Sequence, residues 1–291
     1  MPEFFHEFLH HVLPHAALDT LKLIPFLFLA YLLMEAIEHK AEGKAERLMR
    51  RSGPLAPILG GALGLLPQCG FSAAAASLYA GRVITVGTLF AVFLTTSDEM
   101  LLLMLSRGVR PLPLLLTLGY KLAVGILVGI LLDLLLRLRK KAPEAISIDD
   151  ICERENCHCE HGMLLSALLH TLRITAFILV FSLIIESLVH TVGTDKLAAL
   201  GNIPVLSHAL SALIGLIPNC AASVALTAAH MDGLISFGAM MAGLLPGAGV
   251  GILVLCRLNR PVKRSILIIT ALYLCGVAFG LLADLLPFPA L

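Results

Sequence analysis

Adding 151 to a residue number in the first half of this chain repeatedly returns the same residue in the second half. Thr20 pairs with Thr171, Phe26 with Phe177, Glu35 with Glu186 and His39 with His190. Gly64, Pro67, Cys69 and Ser72 pair with Gly215, Pro218, Cys220 and Ser223. Gly87, Gly125, Gly129 and Asp133 pair with Gly238, Gly276, Gly280 and Asp284. An offset held without a gap from 20 to 284 predicts two structural repeats, so whatever fold forms must form twice.

Each copy is apolar. Of 291 residues, 58% are hydrophobic and only 14% charged, whereas a soluble domain is about half apolar and a quarter charged. The composition therefore predicts an integral membrane protein. Runs 20–38, 83–105, 112–136, 171–190, 234–256 and 265–286 each approach the ~20 residues needed to cross hydrocarbon. The start, MPEFFHEFLHH, lacks a basic n-region, so no cleavable signal is expected. Residues 1–19 instead place Phe4, Phe5, Phe8, Leu9 and Val12 opposite Glu3, His6, Glu7 and His10, an amphipathic pattern for a membrane surface. A net charge of +1 carries no information about partners, and no nucleic-acid partner is expected. Three of the seven cysteines crowd into one polar segment, and the others lie in or near apolar runs, which argues against a disulfide framework.

Lys and Arg in short loops mark the cytoplasmic side. Lys40, Lys44, Arg47, Arg50 and Arg51 fall in one loop, and Arg137, Arg139, Lys140 and Lys141 in another. An even number of crossings must separate two cytoplasmic loops. Runs 83–105 and 112–136 supply two, so 54–80 crosses either not at all or twice. Each repeat then has an odd number of crossings, and the second is inverted relative to the first. Arg257, Arg260, Lys263 and Arg264 fall where inversion needs them, and both termini come out external. Arg107 and Arg110, in an external loop, dissent.

The stretch LPQCG at 66–70 and its mate IPNCA at 217–221 interrupt apolar runs with a proline, a carboxamide and a cysteine. Proline removes a backbone donor and frees a carbonyl. Such backbone is tolerated at membrane depth only inside protein or beside a cavity. Split at the proline, 54–80 gives two arms of about 18 Å, either a re-entrant hairpin or two short tilted helices, and 206–231 repeats the choice. A second interruption separates the halves: 94–100 reads LTTSDEM where 244–250 reads LLPGAGV. Broken helices in inverted repeats mark the substrate sites of secondary transporters.

The expected site gathers Gln68, Cys69, Asp98, Glu99, Asn219 and Cys220 as ligands, lined by Ser72, Thr95, Thr96, Ser97, Ser223 and Gly247. Carboxylates within a span must face a cavity or a cation. Two sulfurs with carboxylate and carbonyl oxygens suit a divalent transition metal (Mn, Zn or Fe), with arsenite ranked lower because it prefers three thiols. Glu35 and His39, with Glu186 and His190, share helix faces and are candidates for metal entrance and exit or for proton coupling, as well as for ordinary solvated helix ends. Cys152, Cys157, His158, Cys159 and His161 in the linker could capture metal in the cytosol. Cys256 and Cys275 read as core, Gly125/Gly129 and Gly276/Gly280 as helix-packing faces, and Lys121 as a charge inside a span that could pair with a carboxylate.

The duplicated Pro-Gln/Asn-Cys motif, the TTSDEM stretch and the Cys/His-rich linker together resemble the ten-transmembrane heavy-metal exporter family, whose members carry manganese-transporter and arsenic-efflux labels. The resemblance covers nearly the whole chain. It implies five plus five helices, export from the cytosol, and Cys69, Cys220 and Asp98 at the core of the site.

The expectation is an all-α polytopic membrane protein of two inverted repeats of about five helices, 1–139 and 163–291, joined by a cytoplasmic linker, 140–162. It would sit in a bacterial inner membrane and export a divalent metal by alternating access with protons as the coupling ion; no nucleotide-binding loop is present, so ATP is not the expected direct drive. The metal is substrate, and no prosthetic group is expected. Partners are lipid, the metal ion, protons and, in a homodimer, a second copy. The alternative is a permease for a metalloid or small organic anion. An intramembrane enzyme or metal sensor ranks last, because no HExxH or GxSxG pattern occurs.

Overall fold

The computed structural model describes residues 55–66, 69–138, 204–259 and 262–286, with isolated helical positions between 21 and 32 and between 168 and 180. Every regular element among them is an α-helix. The first repeat supplies α1 (Leu55–Gly64), α2 (Cys69–Ala80), α3 (Val86–Thr95), α4 (Asp98–Ser106) and α5 (Pro111–Leu138). The second supplies α6 (Pro204–Gly215), α7 (Cys220–Met231), α8 (Phe237–Leu244), α9 (Val250–Leu258) and α10 (Val262–Asp284). Shifted by 151, α2 and α7 coincide at both ends, and α3/α8 and α5/α10 coincide at their starts.

The same chemistry starts α3 and α8. Thr85 and Ser236 are their N-caps, accepting from the Thr88 and Ala239 N–H groups. Asp133 then accepts from the Thr85 hydroxyl at 2.6 Å and the Gly87 N–H at 2.9 Å. Asp284 accepts from the Ser236 hydroxyl at 2.8 Å and the Gly238 N–H at 2.6 Å. Each carboxylate thus satisfies an orphan donor at the positive end of a helix. The backbones approach closely enough for this because Gly87 and Gly238 carry no side chain. A Cβ there would lie 2.1 Å from the Gly129 carbonyl oxygen and 2.3 Å from that of Gly280. The GxxxG faces are therefore packing faces against α3 and α8.

The turns before these caps also repeat. Arg82 and Val83 donate to the Tyr79 and Leu78 carbonyls, while Gly233 and Leu234 donate to those of His230 and Ala229. This is a Schellman ending. Its left-handed residue is Arg82 (φ 59°) in one copy and Gly233 (φ 74°) in the other.

The run 83–105, which reads as one span, is α3 plus α4, interrupted at Thr96–Ser97. The run 234–256 is α8 plus α9, interrupted at 245–249. In the second repeat the cause is covalent. Pro246 has no N–H, Ala248 donates to the Pro246 carbonyl, and Gly249 adopts φ 50°. In the first repeat hydroxyls contribute. Thr95 and Thr96 bond back to carbonyls of their own helix, and Ser97 donates to the Leu65 carbonyl at 2.9 Å. Each half-helix has eight to ten residues, or about 12–15 Å, roughly half of the ~30 Å hydrocarbon thickness.

Segments 55–64 and 69–80 are two separate short helices whose packing diverges. α1 packs on α3 and α5, whereas α2 packs chiefly on α9 of the other repeat. Exchanging the repeats turns the α2–α9 pair into α7–α4, which is also in contact. Such reciprocity is the mark of a two-fold relation.

α5 and α10 are long and apolar enough to cross a membrane, with mean hydropathies of 2.1 and 2.5. Their exposed faces carry leucines, including Leu112, Leu131, Leu138, Leu267, Leu274 and Leu282. Cys256, which reads as core in the sequence, is exposed, and Cys275 is half-buried. An apolar run does not reveal which of its faces packs inward when both faces are apolar.

Candidate functional site

The interruptions of the two repeats converge. Ser97, in the first break, donates to the carbonyl of Leu65 just past the end of α1, so the TTSDE stretch touches the residue that precedes the LPQC stretch of its own repeat. Gly251, at the start of α9, lies against Ser72 of α2; a Cβ at 251 would be 2.9 Å from the Ser72 backbone. The break of the second repeat therefore abuts the helix that follows the LPQC corner. Thr95, Thr96, Ser97 and Ser72 are buried, while Ser223, Gly247 and Asn219 are half-buried.

Lys121 of α5 was no part of the site read from the sequence, yet it joins both breaks. Its side chain is 1% exposed. Its Nζ donates to the carbonyl of Thr96, the C-cap of α3, and at 2.9 Å to that of Leu244, the last residue of α8. Both acceptors sit where helical carbonyls outrun their donors. The Ala248 N–H, which would close the next helical bond to Leu244, goes to Pro246 instead. A lone lysine within an apolar run was the available signal, but the carbonyls it meets lie 25 and 123 residues away.

The two reciprocal helix pairs are not packed alike. Residues 250–255 of α9 are buried, as is most of α2. Residues 222–225 of α7 are half-buried, as are Leu101 and Leu103 of α4, whose mates Ile252 and Val254 are buried. Gly251, which lets α9 close on α2, has Met100 as its mate.

Pro67 and Gln68 lie outside the described residues, as do the side chains of Cys69, Asp98, Glu99 and Cys220. Glu35, His39, Glu186, His190, residues 1–19 and the linker with Cys152, Cys157, His158, Cys159 and His161 also lie outside them. Among the described residues no group of three His, Cys, Asp or Glu side chains is placed to hold a metal. The backbones of three of these ligand candidates begin helices: Cys69 opens α2, Asp98, followed by Glu99, opens α4, and Cys220 opens α7. No protein-family model, curated protein or solved structure matches this chain.

Proposed function

We propose that this chain is a multi-pass secondary transporter of a bacterial inner membrane, built from two inverted repeats, which exports a divalent transition metal by alternating access coupled to protons. The observation that carries the reading is the reciprocal packing of two helix pairs, α2–α9 and α7–α4, around two interrupted spans. Discontinuous helices meeting between inverted repeats are how secondary transporters build a midplane site.

The ion pair of Arg107 and Asp232, 2.7 Å apart, supports inversion. Arg107 follows α4, and Asp232 follows α7, just before α8. If α3–α4 and α8–α9 each cross once, parallel repeats would put these residues on opposite sides of the bilayer. Inverted repeats put them together. The external Arg107 that dissents from the charge rule is thereby neutralised by a neighbour of opposite sign. The unequal packing supports alternating access: with Arg82 and Arg257 cytoplasmic, the α2–α9 side is closed and the α4–α7 side is the looser, external one.

Cys69, Cys220, Asp98 and Glu99, at or beside helix starts around the breaks, are the proposed metal ligands, with Gln68 and Asn219 adding amide oxygens. Uptake of Mn²⁺, Zn²⁺, Fe²⁺ and arsenite into proteoliposomes with an imposed pH gradient tests the proposal. Asp98→Asn and Cys69→Ser should each lower flux of the preferred ion at least about tenfold, the loss of one strong ligand interaction. Unchanged flux of every ion in both variants defeats the site assignment. A permease for a metalloid or small organic anion is the second reading, favoured by one observation: the buried cation Lys121 beside the breaks.

A further inference from the structure

We infer that the Lys121 ammonium is a tethered monovalent cation occupying a site that the C-termini of α3 and α8 form for a free one, and that removing it makes the protein dependent on an alkali-metal or small alkylammonium ion. This rests on the breaks at 96–97 and 245–249 alone, and it would hold whichever substrate the transporter carries.

Three observations converge on it. Two carbonyls that accept from it come from different repeats, Thr96 from the first and Leu244 from the second, so one charge bridges both interruptions. Each is a carbonyl at the negative end of a helix, the partial charge that discontinuous transporter helices use to coordinate sodium or protons. Finally, the frame is duplicated but the charge is not. The mate of Lys121 is Leu272, which is fully buried. A single cation thus serves both helix ends, and its four-carbon stem delivers it without drawing on the solution. Burying an ammonium is costly unless oxygens replace its water, and these carbonyls are such oxygens.

Truncation to alanine keeps both carbonyls and vacates the position of the stem and the ammonium.

The test is the thermal stability of the full-length protein purified in detergent. Wild type should melt at one temperature in choline, Na⁺, K⁺ and ethylammonium chlorides at matched ionic strength. Lys121→Ala should melt lower in choline and rise by about 2–4 °C as K⁺, Na⁺ or ethylammonium replaces it up to a few hundred millimolar. Lys121→Met, which refills the space with an uncharged chain, should melt lower than wild type with no cation response. A folded Lys121→Ala that is indifferent to all three cations overturns the inference. So does failure of both Lys121→Ala and the smaller-step Lys121→Ser to fold in any of the salts, because the site would then accept no free ion. Metal flux is not read in this experiment, so its outcome and that of the transport assay are independent.

Discussion

Arg107 and Asp232 meet at 2.7 Å across the two repeats, joining the loop after α4 to the turn after α7. Both side chains are exposed, 41% and 53%, so the pair contributes little to stability; breaking it should cost under about 1 kcal/mol. Its value is topological. Cysteines placed at 107 and 232 should be labelled by an impermeant thiol reagent from one face of the membrane, and cysteines at 82 and at the exposed position 263 from the opposite face. Labelling of 107 and 232 from opposite faces would disprove inverted repeats.

The carboxylates at 133 and 284 should be stability determinants rather than transport residues. Each accepts from a cap hydroxyl and a backbone N–H, and hydrogen bonds to a charged group contribute about 1.5–3 kcal/mol apiece. Asp133→Ala should therefore lose several kcal/mol in thermal or denaturant unfolding, and Thr85→Ala about 1 kcal/mol. Asp284→Ala should cost more than Asp133→Ala. It also strips the neighbour from buried His208, whose Nε2 lies 3.0 Å from the Asp284 carboxylate, while the mate of His208 is Pro57. Equal losses at the two aspartates would show that His208 draws nothing from the contact.

Gly249 holds φ 50° and ψ −132°, a conformation closed to side chains, at the start of α9. Gly249→Ala should cost about 1–3 kcal/mol in unfolding experiments. Gly233→Ala, in the left-handed position of the Schellman turn, should cost about 1–2 kcal/mol. The sequence already tolerates Arg82 at the equivalent position, where its guanidinium stacks 5.4 Å from the centre of the Tyr79 ring. A neutral result at 249 would mean that the break relaxes when the glycine is lost.

Gly251 and Met100 hold equivalent positions in α9 and α4, and their sizes match the closed and loose helix pairs. With a Cβ already 2.9 Å from Ser72, a methionine at 251 must push α9 off α2. Gly251→Met should raise the reactivity of a cysteine placed at Ser72 toward a cytosolic thiol reagent, and Met100→Gly should lower it at Ser223 toward an external one. No change at either position, with the protein still folded, would separate helix packing from access.

Much of this architecture is legible without coordinates. The 151-residue offset, the Pro-amide-Cys corners and the GxxxG pairs are local or repeated patterns, and each reappears as a helix boundary, a break or a close backbone contact in both copies. Pro246 and Gly249 break a helix by their own covalent geometry, so they can be read one residue at a time. The first-repeat break is harder to see, because Thr96 and Ser97 can continue a helix and leave it here through hydroxyl bonds, one of them to Leu65 on another element.

What the amino acids determine unaided is therefore the period, the helical segments and the places where backbone groups lose partners. Which partners those groups find is a matter of tertiary structure. Lys121 looks like an intruder in an apolar run until α3 and α8 bring two unsatisfied carbonyls to it from distant parts of the chain. Likewise, nothing in α2 alone shows that it packs on the opposite repeat. Hydrophobic pattern specifies that a surface will be buried, but burial is non-directional, and only the closed packing of both copies selects which surfaces meet.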